Sequence, residues 1–179
     1  MKKEFVKLAG ILCLITLVAA LLLAWVNEIT APKIALAELK ASRHAMKQVL
    51  PEATNFKEWE NGIFRGSKGD EIVGYCVTVA TNGYGGELSV MVGIGTDNKV
   101  KGIEVLSHSE TAGLGAKATD DDFKQQFGDK ELPLTVVKGT ADADNEIAAI
   151  TGATVTSRAV AGAVMTASKL IEEAKEGAE

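Results

Sequence analysis

A chain of 179 residues has room for one domain and little more. Its formal net charge of −5, with no basic stripe interleaved with aromatics, excludes a nucleic-acid-binding role. Two cysteines, Cys13 in an apolar stretch and Cys76 in an expected strand, exclude a disulfide framework and a cysteine-held metal cluster, and His44 and His108 lie too far apart in sequence to suggest a zinc site.

The N-terminus carries the first positive signal. Leu8 to Val26, LAGILCLITLVAALLLAWV, contains no charge. At 1.5 Å of rise per residue its length is about 28 Å, close to the hydrocarbon core of a bilayer. Lys2, Lys3 and Lys7 precede it, which predicts a cytoplasmic N-terminus and an outer-face location for everything after Val26. Trp25 falls where an interfacial aromatic belt belongs. The run exceeds the apolar region of about 7–15 residues of a cleaved signal peptide. The nearest small-x-small triplet, Ala35-Leu36-Ala37, lies too far beyond it, and Leu12 stands before Cys13 where a lipoprotein needs a small residue. The expectation is an uncleaved single-pass anchor in the cell (inner) membrane over residues 1–30 and an extracytoplasmic domain over 31–179.

After Pro32, KIALAELKASRHAMKQVL reads as an amphipathic helix that ends before Pro51, with Ile34, Leu36, Leu39, Met46, Val49 and Leu50 on its apolar face. It continues from the membrane helix across a break marked by Pro32. Strands follow at GIFRGSK, at the β-branched EIVGYCVTVAT, and at ELSVMVGIGT, where Leu88, Val90, Val92 and Ile94 share one face. A turn at Asp97-Asn98 leads into KVKGIEVLSH and makes a hairpin. Beyond the loop SETAGLGAKAT, Thr119 is placed to cap a short helix, DDDFKQQF, whose aspartates suit the positive end of its dipole. LPLTVVK reads as another strand, GTADADNE as an acidic loop, and a last helix runs to about Lys175. The order predicts an α+β domain: an antiparallel sheet with flanking helices behind an N-terminal transmembrane helix.

The stretch AITGATVTS, Ala149 to Ser157, opens that last helix with four hydroxyls in seven residues: Thr151, Thr154, Thr156 and Ser157. Gly152 permits a sharp turn and a close backbone approach. Thr154 falls at or near the helix start, where the first amides are free and attract an anion, a phosphate above all. From the residues alone, a hydroxyl here serves equally well as a helix cap.

TGAT, with an apolar residue before it and VTS and a helix after it, resembles the flavinylation motif of the FMN-binding domain family. Two further stretches are similar to that family. NGYGGELSVMVGI matches its Gly-Tyr-Gly-Gly strand start, and VLSHSETAGLG matches its His-x-Glu-Thr-Pro-Gly-Leu-Gly loop, with Ala112 where Pro is usual. The family includes the G subunit of the Rnf ion-translocating electron-transport complex and the C subunit of the sodium-pumping NADH:quinone reductase. The resemblance implies FMN joined through its phosphate to Thr154, with Thr151, Gly152 and Ala153 forming the recognised turn. A separate flavin transferase, using FAD and a divalent metal, makes that bond.

The resemblance also implies that Thr111, Leu114 and Gly115 meet the isoalloxazine ring. Thr156 and Ser157 are placed to donate to the phosphate or its linker, and Lys138 to put a cation near the ring's N1–C2 edge. Each has a plainer reading, as a cap, a Gly-rich turn or a surface charge. Tyr84 is placed either to pack near the flavin or to shape a turn, and the turn is the plainer reading. His108 with Glu110 reads as a solvated or structural pair and not as a metal pair. The motif departs from its family at Ala148, where an acidic residue is usual, and the nearest acids are Glu146 and Asp144.

The chain has no nicotinamide fingerprint, no iron–sulfur cysteines and no nucleophile constellation. The resemblance therefore implies an electron relay and not a complete enzyme. It would work in a membrane complex coupling ferredoxin–NAD electron flow to Na⁺ or H⁺ translocation, beside a polytopic subunit with its own covalent FMN. Two alternatives stand with it: the quinone-reductase C subunit, expected to be longer, and a membrane-anchored adaptor of the same fold without flavin.

Overall fold

The computed structural model describes residues 2–177, in two units that divide between Ala41 and Ser42. The first helix, α1, runs Lys2–Val49 without interruption. It is long and apolar enough to cross a membrane by length and composition. In the first unit Leu12, Leu17, Leu21 and Leu23 are all exposed, as suits an apolar surrounding. Pro32 marks no break. It removes one N–H from the ladder, and the turns on either side continue the helix. Ile34, Leu36 and Leu39, expected on a buried face, are exposed as well.

The second unit is built on five strands: β1 (Asn55–Glu60), β2 (Ile63–Lys68), β3 (Glu71–Asn82), β4 (Glu87–Gly95) and β5 (Val100–His108). They pair antiparallel in chain order. Tight turns explain the order. Asn61 and Gly62 take φ of 45° and 77° between β1 and β2, and Asn98, at 60°, closes the expected β4–β5 hairpin. β1, NFKEWE, was not expected, because an edge strand this polar lacks the apolar alternation that announces a strand.

Alternation along the strands gives two buried faces. On one, Leu88, Val90, Val92 and Ile94 pack with Val77 and Val79 against Val160, Val164, Ala167 and Ile171 of the last helix, α3 (Thr154–Gly177). On the other, Cys76 and Met91 pack against Ala45, Met46, Val49 and Leu50, the end of α1 that belongs to this unit. Two cross-strand glycine pairs let that segment lie close to the sheet. Gly93 pairs with Gly102 beneath Val49, and Gly66 with Gly74 beneath Leu50. A Cβ on Gly93 would run into the Val49 carbonyl oxygen.

After β5 the chain makes a 3-10 turn over Gly115–Thr119, a single helical turn α2 (Asp121–Lys124) and a second 3-10 turn. Asp120, not Thr119, occupies the cap position of α2, because the Thr119 hydroxyl turns back to the Ala116 carbonyl at 2.9 Å. Lys124 ties α2 to the sheet through Glu104 (3.0 Å) and also pairs with Asp121 (3.1 Å) inside α2. Burial pulls the Lys124 ammonium down, but its bonds to Glu104 and Asp121 outweigh this and hold it above the usual lysine range. A raised lysine stabilises the fold below its unfolded value and loses that effect as pH climbs through the folded one. Glu104→Gln is therefore expected to cost about 1 kcal/mol at pH 7. In urea unfolding, the gap to wild type should close only as pH climbs past the ordinary lysine range.

The expected strand LPLTVVK contributes only β6 (Thr135–Val137). It pairs in parallel with β7 (Glu146–Ala148), inside the stretch expected to be loop and motif approach. Three residues are too few to show periodicity. β7, with Ile147 buried, delivers the chain directly to the opening of α3.

Candidate functional site

The sequence from Ile150 to Ser157 folds into a locked turn and helix start. Gly152 sits in the left-handed region at φ 80°, and the Ala153 N–H donates to the Ile150 carbonyl at 2.9 Å. α3 begins at Thr154. The buried Ser157 hydroxyl closes the turn: it accepts the Ile150 N–H and donates to the Ala153 carbonyl, both at 3.0 Å. The amides of Thr154, Val155 and Thr156, in the first turn, have no intrahelical acceptor. Ser157→Ala would leave the Ile150 N–H without its partner. It is expected to cost about 1–3 kcal/mol in urea unfolding.

This helix start forms one wall of a cleft of about 430 Å³, supplied by Gly152, Ala153, Thr154, Val155 and Thr156. Tyr84, from the β3–β4 turn, and Glu110, Thr111, Leu114 and Gly115, after β5, form the other. Gly152 keeps the walls close, since a Cβ there would stand 3.2 Å from Leu114 Cδ2. Gly115 leaves space for the Glu110 carboxylate, and a Cβ on it would also stand 2.8 Å from Thr156 Oγ1. The rim is apolar and open: Tyr84 is 78% exposed, Val155 52% and Leu114 46%. Only two other large apolar side chains described in this unit, Ile72 and Leu170, are exposed. Such a concentration at one concave place marks a binding site.

One polar atom in the cleft is out of balance. Thr156 is fully buried, and its hydroxyl has no hydrogen-bond partner. An unsatisfied buried hydroxyl costs about 1–3 kcal/mol, so its presence calls for a partner from outside the chain. Cys76 offers no chemistry here, because burial pushes its thiol up to about 12.

The fold brings together seven of the ten residues proposed from sequence: Thr111, Leu114, Gly115, Gly152, Ala153, Thr154 and Thr156. Three lie outside the cleft lining. Thr151 is exposed on the turn, Ser157 is engaged by backbone, and Lys138 is exposed beyond β6. Tyr84, Glu110 and Val155 join the lining without being among those ten. The loop containing Thr111 was the signal for Glu110, but only the fold turns its carboxylate inward. At Ala148, where the resemblance leads one to expect an acid, the Gln126 amide binds the main chain. Gln126 Oε1 accepts the Ala148 N–H at 2.8 Å, while Glu146 is engaged with the amides of Asp142 and Ala143.

Comparison with known proteins agrees with this geometry. Residues 83–169 match the FMN-binding domain, and residues 1–49 match the RnfG N-terminal region. The chain is 38% identical to the G subunit of the Na(+)-translocating ferredoxin:NAD(+) oxidoreductase complex of Acetobacterium woodii, over 90% of this chain and 89% of that one. It is 36% identical to the G subunit of the proton-translocating ferredoxin:NAD(+) oxidoreductase complex of Clostridium ljungdahlii, over 80% and 78%. In fold it is similar to the crystal structure of Shewanella oneidensis NqrC, with a TM-score of 0.52 at 20% identity over 64% of each chain. The C subunit of the Na(+)-translocating NADH-quinone reductase of Parabacteroides distasonis gives the same TM-score at 24% identity, over 59% of this chain and 57% of that one. The α+β unit after α1 is thus an FMN-binding domain, and the chain belongs to the family of G subunits of ion-translocating oxidoreductase complexes.

Proposed function

We propose that this chain is an electron-transfer subunit of a membrane complex that moves electrons between ferredoxin and NAD and translocates Na⁺ or H⁺, with FMN esterified to Thr154. The orphaned, fully buried Thr156 hydroxyl in the cleft is the observation that carries this reading. It stands within the first turn of α3, beside amides that also lack acceptors, and a phosphate supplies what both need. Half-buried Thr154 lines the same cleft, and its hydroxyl is the point of attachment. Gly152 and Ala153 shape the turn. Thr111, Leu114 and Gly115 form the opposite wall, where Leu114, Val155 and Tyr84 offer apolar surface to a flat ring. The residues therefore fit the group. The flavin, when bound, supplies the redox chemistry, and the chain positions it and sets its electrostatic surroundings.

α1 serves as the anchor. Its preceding lysines favour a cytoplasmic N-terminus and a domain on the outer face. A covalent tether keeps the cofactor on a face where free FMN would be lost. A flavin transferase and a polytopic flavin-bearing subunit are the partners this reading requires. The G subunits among the relatives favour it over a quinone-reductase C subunit. Intact mass tests it. Full-length protein from a host with the transferase should be heavier by FMN less one water. An unshifted mass would sink the attachment and favour a flavin-free adaptor.

A further inference from the structure

We propose that Glu110 is a fixed negative charge that lowers the reduction potential of the flavin in this cleft, an inference that rests on the FMN reading above. Of the cleft's lining residues, Glu110 is the one acidic or basic side chain. Lys138 and Arg158 lie outside the lining and are exposed. His108 also lies outside it, and its Nδ1 accepts the Glu110 N–H at 3.2 Å. An anion bound here therefore meets an acidic surrounding with no lining cation to offset it.

The carboxylate is held and not merely solvated. Its Oε1 accepts the Tyr84 N–H at 2.8 Å, which joins the β3–β4 turn to the loop after β5. Glycine backs it on two sides: a Cβ on Gly83 or on Gly115 would collide with it. A Cβ on Gly115 would also lie 2.8 Å from Thr156 Oγ1, so the charge sits close to the unpartnered hydroxyl, two residues from the attachment point.

Reduction of a flavin adds two electrons and one or two protons. A nearby carboxylate opposes the net negative product of the one-proton route and leaves the oxidised ring less affected. The consequence is a lower potential than the same site would give without the charge.

Glu110→Gln tests this, because the amide oxygen still accepts the Tyr84 N–H while the charge is gone. Full-length wild type, Glu110→Gln and Glu110→Ala are purified after co-expression with the transferase. Flavin loading is checked by mass, and midpoint potentials are read from flavin absorbance. The Gln and Ala variants should both favour reduction about tenfold over wild type, which for a two-electron couple is about 30 mV upward. If Ala shifts the potential and Gln does not, Glu110 is only a loop clamp and the proposal is overturned. A loaded Gln variant with the wild-type potential overturns the proposal alone. A wild type without covalent flavin overturns the FMN reading and this inference together.

Discussion

Thr154→Ala protein, made beside the transferase, is expected to have the mass of the bare polypeptide and to give a non-fluorescent band in a denaturing gel. Thr154→Ser is expected to keep the flavin. Four hydroxyls crowd this stretch, so rescue by a neighbour is the obvious objection, and the geometry answers it. Ser157 is buried, with its oxygen engaged by Ile150 and Ala153. Thr156 is fully buried beside Glu110 and Gly115, so its hydroxyl is held in the cleft wall and cannot swing out to attack the flavin donor. Thr151 is exposed, but it lies before Gly152 and outside the cleft. The loss should therefore be complete. The free amides of the first turn remain, so weak FMN binding that washes away is expected in the Ala protein. A Thr154→Ala protein still heavier by FMN less water would refute the assignment.

The largest stability effect is expected on the opposite face of the sheet from α3. Gly93→Ala places a methyl where the Val49 carbonyl oxygen now lies. The obstacle is backbone, so no side chain can swing away to relieve it. Either the last turn of α1 lifts from the sheet, exposing Met46, Val49 and Leu50, or β4 bends away. Overpacking of this kind costs about 3 kcal/mol. Urea unfolding of the full-length protein in detergent measures it, and a midpoint equal to wild type would show that the helix end is not seated as described.

What was legible in the sequence follows from how each signal arises. β3, β4 and β5 were readable because their side chains alternate and one face is strongly apolar, as in Leu88, Val90, Val92 and Ile94. β1 was not, because Phe56 and Trp59 are its only large apolar residues. β7 was too short to carry a period and resembled the acidic loop before it. Pro32 was read as a break because local propensity disfavours proline inside a helix, yet one missing hydrogen bond did not end it. The turn and helix start at TGAT were legible because they are local, a flexible glycine followed by hydroxyls, while a flavin there was implied only by the family resemblance. Glu110 was not, because an acid two residues after a histidine looks solvated until the fold sets it between Gly83 and Gly115. The same limit applied to Lys138, whose place in sequence near the motif did not bring it into the cleft lining.

The strand order has a consequence for biosynthesis. Each strand of the sheet pairs with its neighbour in the chain, so most of the sheet's contacts are local and suited to early, rapid formation. The cleft is different. One wall comes from residues 84–115 and the other from 152–156, well after the sheet in the chain. During synthesis from the N-terminus, the sheet can be paired while Thr154 is still in the ribosome, and its core face waits for α3. The cleft is thus completed only after the sheet, once its second wall has emerged and α3 has docked, so a ligand that needs both walls meets a fold that has already closed.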